Sequence, residues 1–473
     1  MNRKTFLQNT SVLGAGLALN KFSFAQTTQS FPEVRWSVSK RHFKSDVIES
    51  AIKAFQSKVA NKELGWLFNN CFPNTLDTTV FYNEKNGKPD TYVITGDIDA
   101  MWLRDSSAQV FPYLQFTRQD KNLQKLIAGV INKQVEFILK DPYANAFYND
   151  ESKISKWKES DITDMKPGVH ERKWEIDSLC YPIRLAYHYW KATGDTTPFG
   201  NDWKGSLLLT LRTFREQQRK TDLGPYKFQR KTEFATDGVP MNGYGYPAKP
   251  NGLICSMFRP SDDATVYSYL IPSNFFAVTS LKQASEMANA ISKDAALAND
   301  LLTLAEEVES ALKKHATTTH PAFGKIYAFE VNGFGSYNLM DDANVPSLLA
   351  MPYLGGVTSS DAVYRNTRNY VWSTENPFFF KGTHAEGIGG PHVGLDMVWP
   401  MSIIMKALTS KDDKEIKWSI DTLRKTHGGT GFMHESFHKD DPKKFTREWF
   451  AWANTLFGEL LWKTFKEKPH LLA

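Results

Sequence analysis

Residues 121–140 read KNLQKLIAGVINKQVEFILK, a stretch without proline in which apolar residues recur every three or four positions. This spacing brings the apolar side chains to one face of an α-helix. The pattern ends before Asp141-Pro142, because proline does not continue a helix. The stretch therefore predicts a long amphipathic helix with one buried face.

The same periodicity extends in both directions along the chain, and alternating strand patterns are rare. Further helices are predicted over 45–60, 106–117, 177–192, 205–218, 273–291, 293–315, 342–351, 400–408, 412–427 and 447–465. Short strands are predicted at Phe81, 92–94, 239–246 and 324–329. The fold class that follows is all-α.

Long loops rich in glycine, proline, tryptophan and acidic residues separate these helices, at 95–105, 236–263, 371–395 and 428–447. Loops of this length in a compact domain usually carry function. Helices that alternate with such loops favour antiparallel pairs, and about a dozen helices would close a double-layered α/α barrel with an active site at one end. No low-complexity linker divides the chain, so one catalytic domain is predicted over 26–473.

The composition suits a globular protein with a sizeable core, since 41% of the 473 residues are hydrophobic and 13% are aromatic. Aromatic faces also pack on sugar rings, although core packing explains the same numbers. The formal charge of +5 comes without any dense basic run, so nucleic acid is not an expected partner. The three cysteines lack metal-ligand spacing, and we expect them to be mostly buried; the odd count leaves at least one free, and one disulfide between the other two stays open as an alternative.

The N-terminus has the pattern of an export signal, with an ordinary N-terminal helix as the alternative. A positive start, Asn2-Arg3-Lys4, precedes an apolar stretch at 11–19 (SVLGAGLAL) that is too short to span a bilayer. The run at 3–7 (RKTFL) resembles a twin-arginine signal in which lysine replaces the second arginine. We expect a signal peptide over 1–25, cleavage before Gln26, no membrane span, and an exported protein, periplasmic or secreted.

Three carboxylates, one arginine and one tryptophan fall within residues 95–106, TGDIDAMWLRDS. Carboxylates accept hydrogen bonds from vicinal sugar hydroxyls, arginine donates to them, and an indole covers an apolar sugar face. Capping of the following helix by one of these side chains explains part of the pattern as well. The sugar-binding residues predicted here are Asp97, Asp99, Trp102, Arg104 and Asp105.

Two adjacent acids, Asp262 and Asp263, follow Arg259 in the segment 258–264, FRPSDDA. Neighbouring side chains of a helix point about 100° apart, so only one of the two acids is expected to enter a site. A carboxyl group that donates a proton near neutral pH needs a raised pKa, which we expect from the apolar surroundings of Phe258. An N-cap role for this segment is the structural alternative.

Two other segments carry candidate polar residues. In 381–392 (KGTHAEGIGGPH), glycines allow close backbone approach to a ligand, and His384 and His392 are predicted to bind it. In 174–179 (WEIDSL), helix capping and a site role explain Glu175 and Asp177 equally well.

A glycine-rich loop leads into Glu435 in the segment 429–438, GTGFMHESFH. His434 and His438 give it the His-Glu-x-x-His spacing of zinc hydrolases, which makes metal chemistry an alternative. That motif requires a helix, whereas the glycines before it and Asp440-Asp441-Pro442 after it do not favour one. We therefore interpret Glu435 as a carboxylate that acts without metal.

Acids dominate these loops, and no Ser-His-Asp order or dinucleotide fingerprint is present. Two carboxyl groups across a sugar pocket are what glycoside hydrolysis needs, since one donates a proton and the other attacks or activates water. The segments 95–114, 258–274 and 429–437 resemble glycoside hydrolase family 125, and 388–394 and 448–454 fit the same family. The resemblance extends from about residue 40 to the C-terminus.

This resemblance implies an (α/α)6 barrel and an exo-acting α-1,6-mannosidase that inverts configuration and needs no metal or other cofactor. The family's acid and base roles carry over onto Asp262 as general acid and Glu435 as general base, with Asp263 as the alternative acid. The remaining polar residues of the motifs are then expected to line the sugar pocket: Asp97, Asp99, Trp102, Arg104, Asp105, Arg259, His384 and His392.

Two other functions remain open. One is another exo-glycosidase of the same architecture, such as a glucoamylase-like enzyme, and the other is a non-catalytic glycan-binding protein. A glycan is the expected partner under each of these functions, and for an α-mannosidase it contains mannose. We expect the protein to be a monomer.

Overall fold

Helices make up most of the regular structure in the computed structural model of this chain, which describes residues 31–473. The predicted export signal over 1–25 lies outside the described residues. The helices are α1 Asp46–Lys58, α2 Lys62–Cys71, α3 Asn74–Thr78, α4 Leu103–Val110, α5 Lys121–Lys140, α6 Ile176–Thr193, α7 Asn201–Gln217, α8 Pro240–Gly243, α9 Ile271–Ala290, α10 Ala295–His315, α11 Ala362–Val371, α12 Pro400–Leu408, α13 Asp413–Lys425 and α14 Ala451–Glu467. Short 3-10 helices cover Phe111–Phe116, Ala235–Asp237, Pro391–Val393 and Pro469–Leu472.

Short strands border the loops of 31–473, and there are more of them than the sequence predicts. They are β1 Val80–Lys85, β2 Lys88–Val93, β3 Met101–Trp102, β4 Ala146–Phe147, β5 Asp161–Ile162, β6 Val169–Glu171, β7 Gln229–Arg230, β8 Tyr269–Leu270, β9 Thr317–His320, β10 Gly324–Tyr327, β11 Glu330–Val331, β12 Tyr337–Asn338, β13 Phe379–Lys381, β14 Glu386–Ile388, β15 Met397–Val398, β16 Ser436–His438 and β17 Asp441–Thr446. They pair antiparallel into small sheets, ordered β1-β2, β9-β10, β12-β11-β8, β13-β14, β15-β16-β17, β3-β4-β6 and β5-β7. Each sheet has at most three strands, so the helices supply the framework.

The amphipathic stretch 121–140 forms helix α5 over its full predicted length. Asp120 caps the helix, because its Oδ1 accepts hydrogen bonds from the backbone N–H groups of Asn122 and Leu123. Its apolar face packs against β2, α6 and α7. The periodicity therefore located both the helix and its buried side correctly.

One predicted helix does not form. Residues 342–351 adopt turns, because the Asp341 carboxylate accepts hydrogen bonds from the backbone N–H groups of Leu348 and Leu349. Side-chain bonds of this kind stabilise turns in competition with helix. The strand predicted at 239–246 is also wrong, since Pro240 begins the one-turn helix α8 there.

Sequence-distant helices meet in one core. An aromatic stack of Phe55, Phe68, Phe72 and Trp462 joins α1, α2 and α14, with neighbouring ring centroids 4.2–6.4 Å apart. Through it α14, the last helix, packs against the first helices of the chain as well as α12. Such aromatic burial is a large apolar contribution to stability.

Several helices begin at the end of a loop that carries acidic or basic residues. Helices α4, α6 and α14 start at Leu103, Ile176 and Ala451, so the loops before them end near each other in the packed unit 34–473. Cys71, Cys180 and Cys255 are buried, as predicted, and all three thiols are free. Within residues 31–473, none of the helices combines the length and apolar character needed to cross a membrane.

Two helix glycines should respond to alanine in opposite directions. A Cβ at Gly129 of α5 would lie 2.3 Å from Thr91 Oγ1 and 2.9 Å from the Thr91 backbone nitrogen, whereas one at Gly205 of α7 would meet only Leu139 Cδ2, at 3.4 Å. We expect Gly205→Ala to stabilise the protein by about 0.5–1 kcal/mol through reduced backbone entropy. Gly129→Ala should destabilise it by about 1–3 kcal/mol, because the strand cannot withdraw.

Urea unfolding followed by circular dichroism measures both changes against the unsubstituted protein. An unchanged or higher unfolding midpoint for Gly129→Ala would contradict the close packing of α5 on β2.

Candidate active site

Four loops meet at one small pocket that contains both Asp262 and Glu435. The loops come from the segments 95–105, 260–262, 391–399 and 435–450, with a single contribution from the turn at 344. The lining residues are Thr95, Ile98, Trp102, Arg104, Asp105, Pro260, Ser261, Asp262, Asn344, His392, Trp399, Glu435, Arg447 and Phe450. The acids predicted from two distant motifs therefore share one cavity.

The Arg104 guanidinium is the centre of the pocket's buried charge network. It donates from Nη1 to Asp105 at 2.7 Å, from Nη2 to both oxygens of Glu175 at 3.2 Å and to Asp262 Oδ1 at 3.1 Å, and from Nε to Asp177 at 3.2 Å. Glu175 and Asp177 are fully buried, and Arg104 is 4% exposed. One cation thus contacts four carboxyl groups.

This excess of acids over cations raises several pKa values. Burial raises the pKa of Glu175 well above its usual range, and the negative charge of Asp262 adds to the effect while Arg104 opposes it. Burial also raises the pKa of Asp177 to about 7 against the attraction of Arg104. Protonated carboxyl groups are therefore part of this network near neutral pH.

Asp262 behaves differently from its neighbours. Burial acts to raise its pKa, but the positive charges of Arg104 and Lys173, together with a hydrogen bond from Glu175, outweigh burial and hold the pKa at about 2. The raised pKa expected for Asp262 beside Phe258 is therefore wrong. The reason is that the Arg104 guanidinium donates to Asp262 Oδ1 at 3.1 Å, and the Lys173 ammonium, 5.0 Å from the centroid of the Phe258 ring, adds a second positive charge.

A tight turn presents Asp262 to the pocket. Its φ is +66°, in the left-handed region that side chains other than glycine seldom adopt. The turn is held by hydrogen bonds from Asp262 N to Arg259 O at 2.9 Å and from Lys173 Nζ to Asp262 O at 2.8 Å. These bonds offset the strain of the conformation and fix the direction of the carboxylate.

Asp263 points away from the pocket lining and pairs with His392. Its side chain is 4% exposed, against 26% for Asp262, and its Oδ1 lies 3.3 Å from His392 Nδ1. Burial alone would lower the pKa of His392, but the hydrogen bond and charge of Asp263, with Asp262 and Glu435, raise it to about 9. His392 is therefore a cation in the pocket wall at neutral pH.

Glu435 enters the pocket from the loop before β16. Its Oε1 lies 3.3 Å from Arg447 Nε, and its side chain is 10% exposed. Arg447 has a φ of +52°, and its Nη1 donates to Asp97 Oδ1 at 3.1 Å. Glu435 thus has an arginine partner of its own, separate from the Arg104 network.

The zinc alternative for the His-Glu-x-x-His sequence fails on geometry. Residues Ser436–His438 form strand β16, in which positions four apart lie about 13 Å from each other. His434 stacks on Phe445 with ring centroids 3.9 Å apart, and its Nδ1 bonds to the Arg447 carbonyl. Elsewhere in 31–473, no group of three or more histidine, cysteine or acidic side chains is arranged to hold a metal ion.

Two acids predicted to bind sugar lie outside the pocket lining. The side chains of Asp97 and Asp99 are 61% and 71% exposed, and they pair with Arg447 and Lys153. The segment itself reaches the pocket through Thr95 and Ile98, which line it, and through buried Met101 and Trp102, while the two intervening acids extend into solvent.

Arg259 and His384 also lie outside the lining. Arg259 is buried, but its Nε donates to Glu330 at 2.7 Å, so it supports the turn rather than the cavity. His384 is exposed and contacts Thr383. The glycines of its segment serve packing, since a Cβ at Gly389 would lie 2.2 Å from the Met397 carbonyl oxygen.

Several residues of the site were not predicted. The sequence explains Glu175 and Asp177 equally well by helix capping and by a role in the site. Both are fully buried and contact Arg104, so they belong to the charge network of the site. Apart from those in or beside the family-like segment 448–454, the aromatic walls and polar residues from later loops carried no local signal that distinguished them from core residues. The unpredicted lining residues from these loops are Asn344, Trp399, Arg447 and Phe450.

Comparisons with known proteins agree on one family. The profile of the family described as metal-independent alpha-mannosidase (GH125) matches residues 61–462. The chain is 42% identical to the Meiotically up-regulated gene 157 protein of Schizosaccharomyces pombe, over 93% of this chain and 90% of that protein.

Solved structures give the same result. A metal-independent alpha mannosidase of Streptococcus pneumoniae, in a non-productive substrate complex with alpha-1,6-mannobiose, is 41% identical, with a TM-score of 0.86 over 90% of this chain and 100% of that chain. A bacterial glucoamylase complexed with acarbose shares the fold alone, at 13% identity and a TM-score of 0.51 over 90% of this chain and 57% of that chain. The chain is therefore a glycoside hydrolase and belongs to the family of metal-independent α-mannosidases, GH125.

Proposed function

We propose that this enzyme is an exo-acting α-mannosidase that releases terminal α-1,6-linked mannose from glycans with inversion of configuration. The observation that carries the proposal is that Asp262 and Glu435, from distant segments and with different cationic partners, line one small pocket. The alpha-1,6-mannobiose complex of the Streptococcus pneumoniae relative supports the substrate class. We also retain the (α/α)6 barrel as a proposal for the arrangement of the helices.

In the proposed reaction, Glu435 takes a proton from a water molecule while that water attacks the anomeric carbon. Asp262 gives a proton to the glycosidic oxygen as the bond from that oxygen to the anomeric carbon breaks. A single displacement of this kind needs the two carboxyl groups about 6.5–9.5 Å apart, with the water held between them. General acid and general base catalysis each contribute typically about 10²–10⁴-fold to such a rate.

The remaining lining suits one sugar ring. Arg104, Asp105 and His392 offer charged hydrogen-bonding groups to hydroxyls, while Trp102 and Trp399 offer apolar faces. Protonated His392 adds a donor near both acids. We assign these five residues to binding of the terminal mannose.

Export of the enzyme is a proposal that rests on the pattern of residues 1–25 alone. The same pattern favours delivery to the periplasm or secretion.

The glucoamylase-like alternative is supported only by a shared fold at 13% identity, which carries no information about substrate. A non-catalytic glycan-binding protein would not need two acids in the pocket with separate cationic partners. Mannoside hydrolysis is therefore the function that the site supports best.

Substrate choice and the role of Glu435 are tested together by measuring sugar release from two α-1,6-linked disaccharides. We expect mannose release from α-1,6-mannobiose and no comparable glucose release from isomaltose. Glu435→Gln should lower the rate on mannobiose by about 10²–10⁴-fold, because the amide does not accept a proton from water. Glu467→Gln, which removes an exposed carboxylate on α14, is the control and should leave the rate unchanged. Equal cleavage of isomaltose, or a Glu435→Gln enzyme that keeps most of its activity, would refute the proposal.

Replacing Asp262 and replacing Asp263 should affect the activity in different ways. With Asp262→Asn, hydrolysis of α-1,6-mannobiose should fall by about 10²–10⁴-fold, whereas a 2,4-dinitrophenyl α-mannoside, whose leaving group needs no proton, should lose much less. With Asp263→Asn, His392 loses the partner that raises its pKa to about 9. Since a histidine with a raised pKa loses its charge only as pH rises through that value, the variant should lose activity on both substrates at lower pH than the unsubstituted enzyme.

Kinetics of both variants on both substrates from pH 5 to 10 measure these effects. The assignment fails if Asp263→Asn, and not Asp262→Asn, shows the dependence on the leaving group.

A further inference from the structure

Glu175 is the one acid of the Arg104 network that lies against Asp262 without reaching the pocket. It is fully buried, immediately before α6, and does not line the cavity. Its Oε2 accepts a hydrogen bond from Ser178 Oγ at 2.9 Å. A carboxyl group placed here cannot touch the substrate, so any effect on the reaction passes through a neighbour.

Glu175 and Asp262 share both of their amino-group donors. Arg104 Nη2 lies 3.2 Å from Glu175 and 3.1 Å from Asp262 Oδ1. Asn145 Nδ2 lies 3.4 Å from Glu175 Oε1 and 3.4 Å from Asp262 Oδ1. Two carboxyl groups that converge on the same two nitrogen atoms are adjacent, so a proton on one of them can be shared with the other.

The local charges disfavour a resting enzyme in which both acids are ionised. Among residues 31–473, Arg104 is the single side-chain cation that forms an ion pair with Asp105, Glu175, Asp177 or Asp262. Lys173, the other nearby cation, is itself bonded to Asp237 and lies 3.5 Å from Glu171. Two like charges side by side in a buried site are resolved by one proton held between them, and the pair then titrates as a unit.

We infer that Glu175 is a positioning residue that shares one proton with Asp262 and returns it to Asp262 during each turnover. The inference rests on the proposed role of Asp262 as the acid. In the resting pair the proton resides on Glu175, because burial raises the pKa of Glu175 while the positive charges of Arg104 and Lys173 keep Asp262 ionised.

The proton balance of the step is closed. Glu175 passes the one shared proton to Asp262, and Asp262 gives it to the glycosidic oxygen as the bond from that oxygen to the anomeric carbon breaks, which leaves both acids as carboxylates until the pair is reprotonated. The attacking water supplies hydroxide to the anomeric carbon and a proton to Glu435. Glu435 then releases this proton to solvent, and a solvent proton restores the shared pair.

Glu175→Gln tests the inference, because the amide occupies the same space but holds no transferable proton. Asp262 would then remain ionised to low pH beside Arg104 and Lys173. We expect a loss of about 10²-fold or more on α-1,6-mannobiose at pH 7, a much smaller loss on the 2,4-dinitrophenyl mannoside, and an alkaline limb of the mannobiose pH profile that moves to lower pH.

Asp177→Asn is the matched control. Asp177 is another buried acid that contacts the Arg104 guanidinium, but it binds Nε and shares neither Arg104 Nη2 nor Asn145 with Asp262. Whatever activity this variant loses should be lost by the same factor on both substrates. Ser178→Ala keeps the test decisive if Glu175→Gln does not fold. Removing the Ser178 donor disfavours ionised Glu175, so the pair keeps its proton longer and the alkaline limb should move to higher pH.

Equal losses on both substrates in Glu175→Gln, or pH profiles that do not move in Glu175→Gln and Ser178→Ala, would overturn the inference and leave Glu175 a structural partner of Arg104. Asp262→Asn in the same assays separates the two proposals. If that variant lacks the leaving-group dependence, the proposed acid is wrong; if it shows it while Glu175→Gln does not, only the shared proton is wrong.

Discussion

The contact of one buried guanidinium, that of Arg104, with four carboxyl groups is the interaction on which the site depends. Removing one partner from a buried ion pair costs about 3–5 kcal/mol, because the remaining charges are left uncompensated. Arg104 therefore holds the loop of Asp262 and the start of α6 in one place. The network around Arg104 also contains fewer cationic than acidic side chains, so some of its carboxyl groups remain protonated. The same network thus fixes the position of the Asp262 carboxylate and governs the protonation of the acids around it.

The fold places this network by the ends of its helices. Arg104 lies in the first turn of α4, Glu175 immediately before α6, and Glu435 and Arg447 on the loops before α14. Helix packing brings these ends together, since α4 contacts both α6 and α14. Two hydrogen bonds hold the turn at Asp262. Lys173 Nζ donates to the Asp262 carbonyl oxygen, and Ser261 Oγ donates to Asp342 at 2.9 Å. Rigid helices and a strained turn thus position groups that come from distant parts of the sequence.

Much of this could be predicted from the sequence, and the failures have physical causes. Periodicity predicted α5 residue for residue, because its apolar face alone decides the helix. It failed at 342–351, where Asp341 binds backbone N–H groups and stabilises turns. Motif position predicted that the segments of Asp262 and Glu435 carry the site, but could not show that Asp97 and Asp99 face solvent. Nor could it show that Arg104 and Lys173 would lower the pKa of Asp262 despite its burial beside Phe258, because those contacts join residues far apart in the chain.

The central claim is that an acid on one loop and a base on another act on opposite sides of the anomeric carbon with a water molecule between them. Proton NMR during the first minutes of α-1,6-mannobiose hydrolysis measures which anomer of mannose is released before mutarotation. If configuration is inverted, the signal of β-mannose appears first and the signal of the α anomer increases later through mutarotation. Initial release of α-mannose would mean that the enzyme retains configuration, and would contradict the assignment of Glu435 as a base that activates water.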